Sequence, residues 1–272
     1  MKTALRYAAL VAALIATRFA VSAPLDAIGA PGLVSGLLTA AAVLGVYVWL
    51  SRKLIGRRPE ELIGGYQQLG QGLLIGFALF TGTLALIAMF GMWRIDGAGS
   101  FTGMLSALGL AAMAAVIEEL VIRGILFRTL EQKLGTWWAL GVSALVFGLL
   151  HLVNPGATVV GVLAIGVEAG VMLALAYVVT RKLWLGIGIH LAWNFTEAGI
   201  FGTPVSSETV NGWMRSHLVG PSVFTGGAFG VEASLITVLT CLTVAGLLYR
   251  RARRDGRIIA RPGRGAGAPA AA

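Results

Sequence analysis

The chain has 272 residues, 57% of them hydrophobic and only 12% charged, with a mean hydropathy of +0.84. So few charges cannot cover a water-soluble surface, which excludes an ordinary soluble domain and leaves lipid as the natural surround. The single cysteine, Cys241, excludes an intrachain disulfide and a thiol-ligated metal centre, and the net charge of +9 has to be read by where it falls.

Apolar stretches long enough to span about 30 Å of hydrocarbon recur along the whole sequence. They fall near 4–23, 30–50, 71–93, 101–128, 136–153, 157–180, 183–201 and 231–249. In lipid each segment must satisfy its own backbone polar groups, so these are helices, and strand-like alternation is absent. The expected fold is all-α: a polytopic membrane protein of about eight transmembrane helices around an intramembrane polar site. Residues 1–249 form one transmembrane domain, and 250–272 form a basic disordered tail attracted to anionic headgroups.

The first stretch follows Lys2 and Arg6, and Val21-Ser22-Ala23 resembles a signal-peptidase site. Arg18 just before it and Pro24 just after it argue against cleavage, so an uncleaved first helix is expected. Charge then sets the orientation. Seventeen basic residues fall at the two termini and in the loops after the second, fourth and sixth helices. Only Arg18, Arg94 and Arg215 fall on the opposite side, and Arg123 lies within a span. The positive-inside rule makes that end, with both termini, cytoplasmic. The basic charge is therefore topological, and no nucleic-acid partner is expected.

The fourth helix carries Glu118, Glu119 and Arg123 in the run AAVIEELVIRG. An ionisable group in mid-membrane costs several kcal/mol, so each is a functional hypothesis by default. Glu119 and Arg123 share a face four residues apart, while Glu118 lies about 100° around the helix. One cation for two acids leaves an acid over. The plain alternative is a neutralised structural triad, but a surplus carboxylate in apolar surroundings suits a general base.

The fifth helix ends in Phe147-Gly148-Leu149-Leu150-His151, with Phe147 and His151 one turn apart. A lone histidine on an apolar helix is more often structural than catalytic. Here Glu118 and His151 are each 16 residues from the Leu134-Gly135 turn, so an antiparallel hairpin sets them at similar depth. The seventh helix carries His190 and Asn194 one turn apart, with Glu197 nearly in line a turn further on. Glu168 on the sixth helix lies at a comparable distance from the Arg181-Lys182 turn and is expected to meet Glu197, in a supporting role. His217 reads as a solvated loop residue. Asn194-Phe195-Thr196 is a chance glycosylation sequon inside a helix. Ser143 and Cys241 are poor candidates for a nucleophile.

Glu118-Glu119-x-x-x-Arg123, Phe147-x-x-x-His151 and His190-x-x-x-Asn194 resemble the three ordered motifs of the CPBP intramembrane proteases, the CAAX proteases and bacteriocin-processing (Abi) enzymes. The resembling core runs over about residues 100–200. The resemblance implies an endopeptidase acting on a membrane-associated or lipid-modified peptide or protein, with membrane lipids as its surroundings. It implies that Glu118 and His151 activate water, His190 and Asn194 stabilise the oxyanion, Glu119 and Arg123 order the site, and Phe147 packs beneath the histidine. Val121-Ile122 stand where many relatives have an aromatic pair. The activation is either metal-free or depends on a zinc held by Glu118, His151 and His190; the His-Glu-x-x-His helix usual for zinc is missing. A proton-coupled transporter and a non-catalytic scaffold or immunity protein are the competing classes. The former lacks the inverted repeat and broken helices expected of it. The Ala-, Gly- and Arg-rich composition suggests a bacterial plasma membrane, whereas the substrate and oligomeric state are not legible.

Overall fold

The computed structural model describes residues 2–154, 156–206 and 211–261. Its long helices are α1 (Lys2–Ala27), α2 (Gly32–Leu50), α3 (Gln67–Met89), α4 (Phe101–Leu134), α5 (Thr136–Leu150), α6 (Val159–Thr180), α7 (Trp184–Asn194) and α8 (Leu235–Arg254). All but α7 belong to the seven helices among the described residues that are long and apolar enough to cross a membrane. The chain is an all-α polytopic membrane protein. Helix α7 has 11 residues and continues through a wide π-helical turn, Phe195–Ile200, so its length falls short of the others. It lies inside the bundle, against α3 and α4.

Local signals set the helix ends. Ser100, Thr158 and Ser234 cap α4, α6 and α8, each side-chain oxygen accepting from a backbone N–H three residues on at 3.0 Å. Helices α4 and α5 meet across Gly135 alone, at φ +79°. A Cβ there would come within 2.7 Å of Arg261 N, so only glycine fits the turn.

Small residues let the helices approach closely. A Cβ on Gly36 of α2 would lie 2.2 Å from the Gly109 backbone of α4, and one on Gly72 of α3 would lie 2.5 Å from Leu185 O of α7. Gly166 and Gly170 in α6 both abut Ala144 of α5.

Two features differ from the sequence expectation. The segment between α3 and α4 and the long loop after α7 pair as antiparallel strands, β1 (Trp93–Ala98) and β2 (Met214–Leu218). His217 thus stands on a strand, with Nδ1 2.8 Å from Asp96 Oδ2. The short, irregular pairing falls between spans, where periodicity gives little signal. Second, α8 continues through Arg254, and residues beyond it return to the bundle: Thr136 N donates to Ile259 O, and Arg181 donates to Arg257 O. The tail expected from Arg250 is therefore helical at its start; residues 262–272, with Arg264, lie outside the described residues.

The basic loops gather at one end of the bundle. Lys182 Nζ donates to Glu60 O and Ile63 O at 2.7 and 2.6 Å, Arg181 pairs with Glu131, and Arg128 lies 3.9 Å from Glu61. The α1–α2 turn, the strand pair and the loop after α7 lie at the other end.

Candidate active site

Helix α4 changes pitch where its charges are. Phe101–Glu118 is α-helical, Glu119–Phe127 is π-helical, and Arg128–Leu134 is α-helical again. Single π turns inside α-helices are frequent at functional sites. Here the widening begins between the two glutamates and separates their surroundings. The other two helices that carry buried acids widen in the same way, α6 over Gly166–Gly170 around Glu168 and α7 over Phe195–Ile200 around Glu197.

Glu119 and Arg123 are fully buried and paired, with Arg123 Nη1 donating to Glu119 Oε1 at 2.7 Å. Arg123 Nη2 donates to the carbonyls of Ala169 and Gly170 at 3.1 and 3.2 Å, so one guanidinium ties α4 to the widened turn of α6. Its carbon lies 4.5 Å from the Phe147 ring centroid. Glu119 Oε1 also accepts from His190 Nδ1 at 3.2 Å. The other nitrogen of His190, Nε2, is 3.7 Å from Glu118 Oε2, an oxygen that is itself buried without a hydrogen-bond partner.

His151 terminates α5, and its Nδ1 lies 2.8 Å from Phe147 O. Donation to that carbonyl fixes the proton on Nδ1 and leaves Nε2 as an acceptor. The Phe147 ring supports both histidines, at 5.0 Å from His151 and 6.1 Å from His190.

Glu118, His151, His190 and Asn194 line one small cavity of about 40 Å³, room for a bound water or so. Glu118 and His151, expected side by side, both line this space, with no hydrogen bond or ion pair between them. The cavity adjoins a crevice of about 460 Å³ that shares Glu118, His151 and Asn194, and whose far wall carries Arg18 of α1.

All seven residues of the three motifs thus come together from α4, α5 and α7. The expected meeting of Glu168 and Glu197 extends to a third acid, with Glu232 within electrostatic reach of both. Glu168 lines the cavity. Glu197, buried behind the cavity-lining Trp193, accepts from Trp193 Nε1 at 3.0 Å with its Oε1 buried and unpartnered. Two cavity residues with acid or hydroxyl side chains were not singled out from sequence, Glu232 and Ser206. Ser206 donates to Glu232 Oε2 through its backbone N at 2.7 Å and through its Oγ at 2.5 Å. Glu232 was open to detection, being an acid at the head of the last apolar stretch; Ser206, in a long loop, carried no signal. Ser143 is buried against its own helix, with Oγ 3.4 Å from Leu140 O.

The candidate zinc trio, Glu118, His151 and His190, lines one cavity. Among the described residues no three His, Cys, Asp or Glu side chains converge as metal ligands do. Nδ1 of His190 is held by Glu119 and Nδ1 of His151 by Phe147 O, so each ring keeps Nε2 free, an arrangement equally compatible with a metal-binding imidazole.

Residues 99–196 match the family model for type II CAAX prenyl endopeptidases, Rce1-like, the same group of proteases that the three motifs resemble. The matched segment includes every motif residue and Glu168, and ends one residue before Glu197. No curated protein and no solved structure matches the chain.

Proposed function

We propose that the protein is an intramembrane endopeptidase that hydrolyses a peptide bond with a glutamate-activated water. The observation that carries this reading is Glu118 Oε2, buried and unpartnered beside a water-sized cavity shared with His151, His190 and Asn194. The family match over the same helices supports it.

Peptide hydrolysis needs an activated water, a stabilised oxyanion and a proton for the leaving amine. Glu118 takes a proton from a water that His151 Nε2 helps to orient, and the hydroxide oxygen bonds to the scissile carbonyl carbon. Negative charge then develops on the carbonyl oxygen, where the Asn194 amide and Nε2–H of His190 donate to it, His190 acting as an imidazolium between the Glu119 and Glu118 carboxylates. Such donors act strongly where water is largely excluded. Collapse breaks the C–N bond, and Glu118 returns its proton to the amine. Glu119 and Arg123 hold His190 in place and do not touch the reacting atoms. Glu168 and Glu232, across the cavity, complete its polar wall. Zinc activation is the second reading, with Glu118, His151 and His190 as its ligands.

The test compares new protein N-termini in membranes carrying wild type and Glu118→Gln, which keeps size and hydrogen bonding but removes the base. Ends that appear only with wild type are expected and identify the substrate. Equal sets of ends at equal expression would overturn the protease reading in favour of a scaffold or transporter.

A further inference from the structure

The catalytic cavity and the crevice share Glu118, His151, Asn194 and Ser206. Towards the basic end of the bundle lie fully buried side chains, Phe147 in the cavity wall, then Arg123 and Phe127, with Tyr47 beyond them. Towards the other end the cavity joins the crevice lined by Arg18, Leu110, Ala114, Asn154 and Ser206. Each of these lies level with Glu118 or nearer the end that carries the strand pair.

The helix register fixes the level of Arg18. Helices α2 and α4 run parallel, with Gly36 against Gly109 and Tyr47 against Gly124. Helix α1 runs antiparallel to α2, with Ser35 Oγ donating to Asp26 Oδ1 at 2.9 Å. Stepping down α1 from Asp26 to Arg18 descends eight residues, about 12 Å, and the same descent along α4 from Gly109 reaches Ile117. Arg18 and Glu118 therefore face one crevice at one depth. Among the described residues, none at the basic end lines that crevice.

The crevice also opens laterally. Helix α1 packs on α2 and on the turn that follows it, with no comparable packing against α4 or α5. The small side chains Ala107, Ala111 and Ala114 on α4 form the floor of a furrow between α1 and the end of α5.

Since basic residues mark the cytoplasmic end, we propose that the site takes its substrate from the non-cytoplasmic side. The substrate class is then the membrane-proximal, non-cytoplasmic segment of an exported or membrane-anchored protein, and a cytoplasmic lipidated C-terminus does not reach Glu118. The substrate half of this inference rests on the protease reading; the direction of access does not.

Single-cysteine labelling of the full-length protein in intact cells separates the two. Cys241 is buried, and Cys241→Ala removes its background. In that chain Asn154→Cys and Leu110→Cys report on the crevice, and Gln132→Cys reports on the basic end. A membrane-impermeant maleimide is expected to modify the first two in intact cells and Gln132→Cys only after detergent. Modification of Gln132→Cys alone before detergent would overturn the proposal, and so would crevice cysteines that stay unmodified throughout. If access is from outside but wild type and Glu118→Gln yield the same protein ends, the protease reading fails while the direction of access stands. If wild-type-specific ends lie in cytoplasmic segments, the substrate assignment is overturned.

Discussion

The guanidinium carbon of Arg123 lies 4.5 Å from the ring centroid of Phe147, with both side chains buried to within 1%. The same guanidinium holds Glu119, which in turn holds His190. Removing the cation strands a buried carboxylate, so Arg123→Met is expected to cost about 3–5 kcal/mol. Adding Glu119→Gln removes the uncompensated charge and is expected to restore part of that loss. Unfolding of the two variants in detergent measures the coupling. Strictly additive losses would mean that the pair does not act as one unit.

Asn194 lines both the cavity and the crevice, and no protein group among the described residues occupies its amide. A donor reserved for charge that appears only during reaction affects turnover more than binding. Asn194→Ala is expected to lower kcat about 10²–10³-fold with little change in KM, measured on a peptide that spans a wild-type cleavage site. A rise in KM at unchanged kcat would show that Asn194 binds the substrate rather than the oxyanion.

The seven motif residues were legible because mid-membrane charge is expensive, so each buried acid or imidazole stands out from its apolar run. Equal distance from a one-residue turn was enough to match Glu118 with His151. What the sequence concealed was pitch. Extrapolating α-helical geometry from the Arg181-Lys182 turn brings Glu168 and Glu197 together, and they do lie within electrostatic reach of each other, but each sits in a widened turn, Gly166–Gly170 and Phe195–Ile200, that the extrapolation did not foresee. No residue pattern distinguished those turns from ordinary helix. The glycines were similarly ambiguous. The pair Gly166 and Gly170 does mark close helix contact, while the closer approaches at Gly36 and Gly72 carried no separate signal.

Close packing of α3 on α7 leads to a prediction about the site. A Cβ on Gly188 would lie 2.5 Å from Leu69 O and 2.9 Å from Gly72 Cα. Both are backbone atoms, so α7 itself must shift, and it carries His190 two residues on. Gly188→Ala is expected to cost about 1–3 kcal/mol and to reduce activity, read from unfolding in detergent and from turnover. Gly246→Ala on α8, where nothing lies within 4 Å, is the control and should leave both unchanged.

At the basic end, Glu61 accepts from Arg57 at 2.7 and 2.8 Å and from the Tyr47 hydroxyl. Burial by itself would raise the Glu61 carboxyl, but the hydrogen bonds from Arg57 and Tyr47, with the Arg57 charge, bring it below its ordinary value. A depressed carboxylate adds stability that is present above the unfolded-state value, about 4.3, and is lost as pH falls through the lower folded-state value. The unfolding midpoint of the wild type should therefore drop as pH is taken downward from about 5. Glu61→Gln should be less stable at neutral pH and flatter over that acid range. Parallel curves for the two proteins would show that the cluster is not the acid-labile element.

Arg18 has no acidic partner among the described residues, and its guanidinium carbon lies over the Phe19 ring of its own helix at 5.0 Å. An unpaired cation within a span costs about 2.5–3.5 kcal/mol on insertion scales, so nothing in packing or pairing accounts for arginine there. Its place on the crevice wall at the depth of Glu118 does, because a cation there attracts an anionic or carbonyl group on an entering chain. Arg18→Leu is expected to raise stability in detergent while lowering kcat/KM about tenfold, about 1.4 kcal/mol in transition-state terms. Arg18→Lys should retain most of the activity. If Arg18→Leu gains stability at full activity, Arg18 is only a snorkelling surface residue. If it loses both, the arginine has a structural partner in the membrane.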